Sequence, residues 1–428
     1  MSDSAPSTAG RFQAALFWNL GSLAVLAVAG IALNALIAAL YDEAALGVFN
    51  QAMAAYVFFS QVAVGGLDRS LLKEVAACAH ERARVGATLG AALVPAGLLA
   101  ALATLAFWLA REPIGRWLES PGTAEAIAWA TPGLYFFALN KVLLAAVNGL
   151  QRMRTFAVCH ALRYVLILVA LGGFALFDRE RTQAAHLAGV FSFAEALLFL
   201  VLALEVWRQV RGPVAPGWTA LVRPHIRFGL RSLGSGVLLE LNARVDVLMI
   251  GWFLSDRDVG VYAFAAMISE GLYQLLNVLQ NLYNPILARG LAARALAELH
   301  ATIQKGKRRT YQGMLVVATL AVLLYPFALS LLTDKPGFEG SVIPFRWLML
   351  GVGLCAGYIP FAQTLLMAGF PGTHTLYMLL SVGINVIGNA LLVPRLGLAG
   401  AAIATAASMF LSVFVLTGLV RARTGLRL

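Results

Sequence analysis

Stretches of about twenty apolar residues follow one another along almost the whole chain, separated by short polar breaks. A helix needs about 20 such residues to cross the hydrocarbon of a bilayer, because each residue advances it by only ~1.5 Å. Twelve stretches have that length: about 14–40, 46–67, 86–110, 123–147, 155–177, 184–207, 228–254, 260–287, 311–333, 342–368, 373–393 and 397–420. They are continuous rather than alternating, which predicts spanning helices and excludes a β-barrel. With 60% of residues hydrophobic and only 12% charged, a soluble domain is excluded as well. The expectation is an all-α integral membrane protein.

The chain also repeats itself. Leu46-Gly47-Val48-Phe49 returns 213 residues later as Val259-Gly260-Val261-Tyr262, and Leu187-Ala188-Gly189 returns 211 residues later as Leu398-Ala399-Gly400. Both offsets are close to half of the 428 residues, so the reading is a duplicated half of six spans. It gives an N-terminal lobe at 1–207, a linker at 208–227 containing Gly212, Pro213, Pro216 and Gly217, and a C-terminal lobe at 228–428. Two similar membrane halves imply a cleft between them, as in many secondary transporters.

Lys and Arg set the orientation. With the N-terminus inside, alternate loops put 21 basic residues on the inner side and 7 on the outer side. This bias predicts an even number of spans with cytoplasmic N- and C-termini. The net charge of +11 is then a topology signal, and no nucleic-acid partner is expected. Residues 1–10 lead into an apolar stretch too long for a signal peptide. Cys78, Cys159 and Cys355 are odd in number and widely spaced, so neither a disulfide framework nor a metal site follows. The basic, Ala/Leu-rich stretch 288–310 reads as an interfacial helix.

Ionisable groups at membrane depth are costly and mark function or pairing. Here they are Lys141, Arg163, Arg244 and Arg346, with Glu195, Glu240, Asp246 and Glu270. Glu240 and Arg244 are spaced to pair on one helical face. Span 8 carries Glu270, Gln274, Asn277, Asn281 and Asn284 as one polar stripe, which must line water or bond neighbouring helices. Asn140, Lys141 and Asn148 cluster on span 4. Asp246, Asn385, Asn389 and Thr405 offer oxygen ligands of the kind Na⁺ prefers, although such residues also serve as packing hydrogen bonds. Asp256-Arg257-Asp258 matches a D-x-D form used by metal-dependent glycosyltransferases, in a tight turn where Asp is common anyway. There is no Walker loop and no His pair at metal spacing.

Several of these segments resemble polysaccharide flippases of the multidrug/oligosaccharidyl-lipid/polysaccharide exporter superfamily, and most of all the O-antigen and exopolysaccharide branch. They are Gly66-Leu67-Asp68-Arg69-Ser70, Asn148-Gly149-Leu150-Gln151-Arg152, Arg244 through Gly251 with Val259 to Tyr262, and Val393 through Ala402. The resemblance implies a MATE-like fold of twelve helices, two six-helix lobes around a central cavity. It also implies a transporter without catalytic residues or cofactor that moves undecaprenyl-pyrophosphate-linked oligosaccharide between leaflets for surface polysaccharide synthesis, beside the polymerase machinery. Lys141 and Arg163 would hold the diphosphate. Asn148, Glu270, Gln274, Asn277 and Asn281 would line the sugar cavity. Asp246, Asn385, Asn389 and Thr405 look like the sodium site of the related lipid II flippases, so Na⁺ or H⁺ coupling is an expectation, with an amide at Asn389 where a carboxylate is usual.

Two rival functions make different demands. A cation-coupled multidrug antiporter of the same superfamily wants an acid in span 1, yet no Asp or Glu lies between Arg11 and Tyr41. A membrane glycosyltransferase or polymerase wants a sizeable outer loop with catalytic acids, and the loops are short.

Overall fold

The computed structural model describes residues 28–178, 184–210, 217–333 and 335–428, with 21, 25 and 26, and does not describe the side chains at 231, 232, 235 and 239. Arg11, most of the first half of span 1, Arg179, Arg181 and the Gly212-Pro213-Pro216 stretch lie outside these residues. The described chain is helical, with no strand among the described residues.

The first half contains α1 (Val28–Leu40), α2 (Glu43–Val64), the short α3 (Leu67–Cys78), α4 (Arg82–Trp117), α5 (Pro121–Gly149), α6 (Met153–Phe177) and α7 (Gly189–Val210). The second contains α8 (Trp218–Phe253), α9 (Asp256–Ala292), α10 (Leu296–Leu332), α11 (Val342–Cys355), the single turn α12 (Thr364–Met367) and α13 (Pro371–Thr424). Eight of the helical segments are long and apolar enough to cross a membrane. α13 is two helices joined at Gly397, whose backbone is left-handed (φ 59°). α2 and α8 are long enough but too polar to count among the eight.

Two expected elements come out differently. The basic stretch 288–310 is no separate interfacial helix: α9 runs to Ala292, Arg294 turns the chain at φ 54°, and α10 continues from Leu296 without a break to Leu332. Ala, Leu, Glu and Lys are strong helix formers, and nothing between 296 and 310 interrupts them. Span 10 is broken where one helix was expected. α11 stops at Cys355, and a 3₁₀ turn (Ile359–Phe361) and α12 follow. Pro360 has no N–H to give, and Gly357 seats against the Tyr311 ring where a Cβ would collide. The backbone carbonyls freed by the break are taken up by side chains: Tyr311 donates to Leu354 O (2.9 Å) and Gln280 to Ile359 O (3.0 Å).

Contacts divide the chain into two compact units. The first takes the residues up to Leu33 with Ala55–Gly115 and Pro121–Val237; the second takes Asn34–Ala54, Arg116–Ser120 and Leu238–Leu428. The division falls inside α8, and the second unit includes the start of α2.

Within the first unit, α5 is the hub: 67% of its apolar window is buried, against 11% for α10 in the second unit. α5 packs on α3, α4 and α7 through Val142, Leu143, Val147, Leu71, Val75, Ala92, Leu198 and Leu202. Small residues permit close approach. Gly133 lies against the α7 backbone and its N–H donates to Ser192 Oγ (2.9 Å), while Gly149 seats on Val75 and Leu72. The Gly66-to-Ser70 motif has a similar explanation. Gly65 and Gly66 turn the chain at positive φ, Gly229 of α8 approaches Gly65 O, and Ser70 meets His225 Nδ1 at 2.8 Å. Burial holds the His225 imidazole below its ordinary value, against the opposing pull of Glu74.

In the second unit the two copies of the repeat meet. A Cβ on Gly47 would collide with Asp256 O, and a Cβ on Gly260 would collide with Glu43 O. Each glycine therefore rests on the carbonyl four residues before the other, a reciprocal crossing of α2 and α9 that only glycine permits. The crossing is locked by polar contacts at the start of α9. Ser255 caps the helix with Asp258 in a capping box, and Asp256 accepts from Gln51 Nε2 (3.0 Å) and Ser120 Oγ (2.7 Å). Both acids of the D-x-D form are thus engaged in holding a helix end.

Candidate functional site

Each unit has a polar centre among its helices. In the first, α2, α5, α6 and α7 bring together Tyr56, Asn140, Arg163 and Glu195. Arg163 Nε lies 2.7 Å from Glu195 Oε1, close without hydrogen-bond alignment, and its Nη2 donates to Oε2 at 3.3 Å. Asn140 Nδ2 donates to the same Oε2 and to Glu195 O, both at 2.8 Å. Phe137 covers the guanidinium face at 4.7 Å, and Tyr56 stacks on Phe191. Arg163 and Glu195 are buried, at 7% and 2% exposure. A carboxylate this close neutralises the guanidinium, so Arg163 and Asn140 are committed to holding α5, α6 and α7 together.

The other predicted cation sits differently. Lys141, on the next position of α5, is half-buried and donates to Gln61 Oε1 of α2 at 3.2 Å. The space beside Gly236 borders both Gln61 Oε1 and an Arg69 guanidinium nitrogen, each about 3.4 Å or less from where a Cβ would stand. Lys141, Gln61 and Arg69 thus form a basic cluster in the first unit, and Arg69 is exposed. In the sequence Arg69 stands out only within the Gly66-to-Ser70 segment. Asn148 is half-buried two turns beyond Lys141, at the end of α5, where Gln151 at φ 57° turns the chain.

On α9 the polar stripe exists. Glu270 and Asn281 are exposed, Gln274, Asn277 and Asn284 half-buried. Asn277 donates to Gln274 (2.9 Å), and Asn284 donates to Gln363 beside α12 (2.8 Å). Arg244 reaches across from α8 to Glu270 at 3.6 Å. An accessible row of amides along a membrane helix needs water or a polar ligand beside it.

In the second unit, α8, α9 and α13 supply the other centre. The fully buried Tyr262 donates to Asp246 Oδ2, and the Val247 amide donates to Oδ1 (3.0 Å). The Thr405 hydroxyl lies beside Tyr262 yet meets no partner at hydrogen-bond geometry. Asn389 donates to Asn385 Oδ1 (2.6 Å) and Asn385 O (3.0 Å), which leaves its own buried Oδ1 without a partner. The two halves of α13 touch at Gly388 and Ala404, the positions next to Asn389 and Thr405. The predicted ion-site residues thus lie on α8 and α13, with Tyr262 of α9 bonded to Asp246.

The family model described as polysaccharide biosynthesis protein matches residues 12–292. A comparison with curated proteins returns no match. Among solved structures, an inward-facing multidrug resistance MATE transporter of the MOP superfamily aligns with TM-score 0.77 at 14% identity, over 94% of each chain. The lipid II flippase MurJ in an inward closed conformation aligns with TM-score 0.75 at 14% identity, over 96% of this chain and 87% of that one. A Pyrococcus furiosus MOP transporter described as having a binding pocket of reverse polarity aligns with TM-score 0.71 at 14% identity, over 96% and 95%. Identities this low speak for the fold alone. A family match over well over half of the sequence, joined to a MATE-like fold spanning nearly all of it, means that this multi-pass membrane chain belongs to the polysaccharide biosynthesis protein family.

Proposed function

We propose that this chain is a flippase carrying undecaprenyl-pyrophosphate-linked oligosaccharide across the plasma membrane, from the cytoplasmic to the outer leaflet, to feed a polysaccharide polymerase. The observation that carries the reading is the basic cluster of Lys141, Gln61 and Arg69 in the first unit. Sugar hydroxyls and a diphosphate cross hydrocarbon only if their hydrogen bonds are kept. Lys141 and Arg69 supply charge-assisted donors for the phosphates, and Asn148 adds an amide for a sugar in the same unit; in the second unit the α9 row of Glu270, Gln274, Asn277 and Asn281 offers sugar contacts of its own. The family match and the flippase among the fold neighbours support a lipid-linked cargo. No covalent step is required, so the chain acts as a transporter and not as an enzyme. Its termini lie in the cytoplasm, following the Lys/Arg bias.

Coupling belongs to the second unit. Asp246, Asn389 and Thr405, with Asn385 holding Asn389 in place, would bind Na⁺ or take up H⁺. Such an ion drives the cycle only through its unequal affinity for two conformations.

The test is transport of a fluorescent lipid-linked oligosaccharide in proteoliposomes. Lys141→Gln with Arg69→Gln should reduce the rate at least about tenfold, the scale of one lost charge-assisted bond. Full transport by that double variant, or export of a cationic dye in place of the lipid, overturns the flippase reading.

A further inference from the structure

At one end of the first unit, between the start of α6 and the end of α7, lies an open pocket of about 400 Å³. Its rim carries Arg154, Arg208 and Glu205, and its wall is made by Val158, Val201 and Leu204. Glu205 is already engaged, by Arg152 at 3.2 Å and by Gln209 at 2.6 Å. With Arg152 beside them, three arginines stand against one carboxylate, so the rim is net positive.

The wall has the opposite character. Val158, Val201 and Leu204 are 48%, 39% and 45% exposed, and they extend along both helices away from the charged rim. Trp207, 59% exposed, stands next to the rim as aromatic residues do at a membrane surface. The Lys/Arg bias sets these two helix ends at the cytoplasmic surface. A basic rim over an apolar wall, at headgroup depth, is an amphipathic slot.

We propose that this slot holds one anionic phospholipid of the surrounding bilayer, its phosphate between Arg154 and Arg208 and an acyl chain along Val158, Val201 and Leu204. Inorganic phosphate would leave the wall uncovered. A zwitterionic headgroup would bring its ammonium against the arginines. Basic pockets between membrane helices on the cytoplasmic side are known to suit anionic headgroups. The site is separate from the Lys141–Gln61–Arg69 cluster and stands whether or not the chain flips a lipid-linked sugar.

Native mass spectrometry of the full-length protein from detergent, with phosphatidylglycerol or phosphatidylcholine added, tests it. The wild type should retain one phosphatidylglycerol in preference to phosphatidylcholine. Arg154→Gln with Arg208→Gln should weaken that retention roughly 30-fold, taking about 1 kcal/mol for each basic residue at the surface. The lysine pair, Arg154→Lys with Arg208→Lys, should keep most of it and so exclude misfolding as the cause. Val158→Trp fills the wall without touching the charge and should also reduce retention.

Equal retention of the two lipids overturns the proposal, as does unchanged retention in the glutamine pair. Loss in the glutamine pair with full retention in Val158→Trp means surface charge and no slot. Displacement by millimolar inorganic phosphate assigns the rim to a soluble anion. Displacement by undecaprenyl diphosphate at equal concentration assigns it to the transported lipid.

Discussion

The two polar centres solve the same problem in opposite ways. In the first unit a buried arginine meets a buried glutamate, with Asn140 completing the carboxylate's bonds, and the charge is settled inside the protein. In the second a carboxylate accepts hydrogen bonds from two neutral donors, Tyr262 and the Val247 amide, and buried oxygens of Asn389 and Thr405 stay without partners. A balanced centre holds helices together; an unbalanced one invites a guest of the missing charge. The contrast predicts cohesion from Arg163 and Glu195, and a response to ions from Asp246.

Removing one partner from the balanced centre should have the largest effect. Glu195→Gln leaves the Arg163 charge buried and uncompensated, a loss of about 3–5 kcal/mol. The melting temperature in detergent should fall sharply. Adding Arg163→Met should restore much of the loss, since removal of a whole buried pair is often close to neutral. A Glu195→Gln protein as stable as wild type would mean that the pair is not what holds α6 to α7.

Breaking the unbalanced centre should look different. Asp246→Asn keeps an acceptor for the Tyr262 hydroxyl, so stability should change by less than about 1 kcal/mol. Transport in proteoliposomes should lose its dependence on Na⁺ or pH gradients. A wild-type rate indifferent to both gradients removes the cation altogether and makes this centre another packing device.

The smallest effect sharpens the contrast. Asn389→Asp adds a second carboxylate where an orphaned amide oxygen now stands, and more ligand charge tightens a hard-cation site. The Na⁺ concentration for half-maximal transport should fall by about tenfold, with little change in the maximal rate. A rise in that concentration would place residue 389 outside the ion's coordination sphere.

Much of this was legible in the chain itself, at positions where the information is local. Continuous apolar stretches announced membrane helices. The 3,4 spacing on span 8 announced the α9 stripe, and the break between the stretches 373–393 and 397–420 announced the two halves of α13. What stayed hidden is which helix face meets which. Arg163 and Glu195 are 32 residues apart on different helices, and only the rotation of α6 against α7 decides that they meet. Arg163, read alone, therefore looked like a counter-charge for a phosphate. Tyr262 as the partner of Asp246, and Gln61 and Arg69 beside Lys141, were hidden for the same reason. The break after Cys355 was missed because Pro360 and Gly357 sit within an apolar run that spans as well broken as whole.

The glycine crossing carries a historical consequence. Gly47 rests on the carbonyl four residues before Gly260, and Gly260 on the carbonyl four residues before Gly47, so the contact reads the same from either side. A contact of that form is isologous, the form a two-fold homodimer interface takes. A six-helix ancestor would have needed a single glycine to build both halves of it by pairing with its own copy. Fusion of two genes preserves such an interface at no structural cost and lifts the requirement that the partners be identical elsewhere.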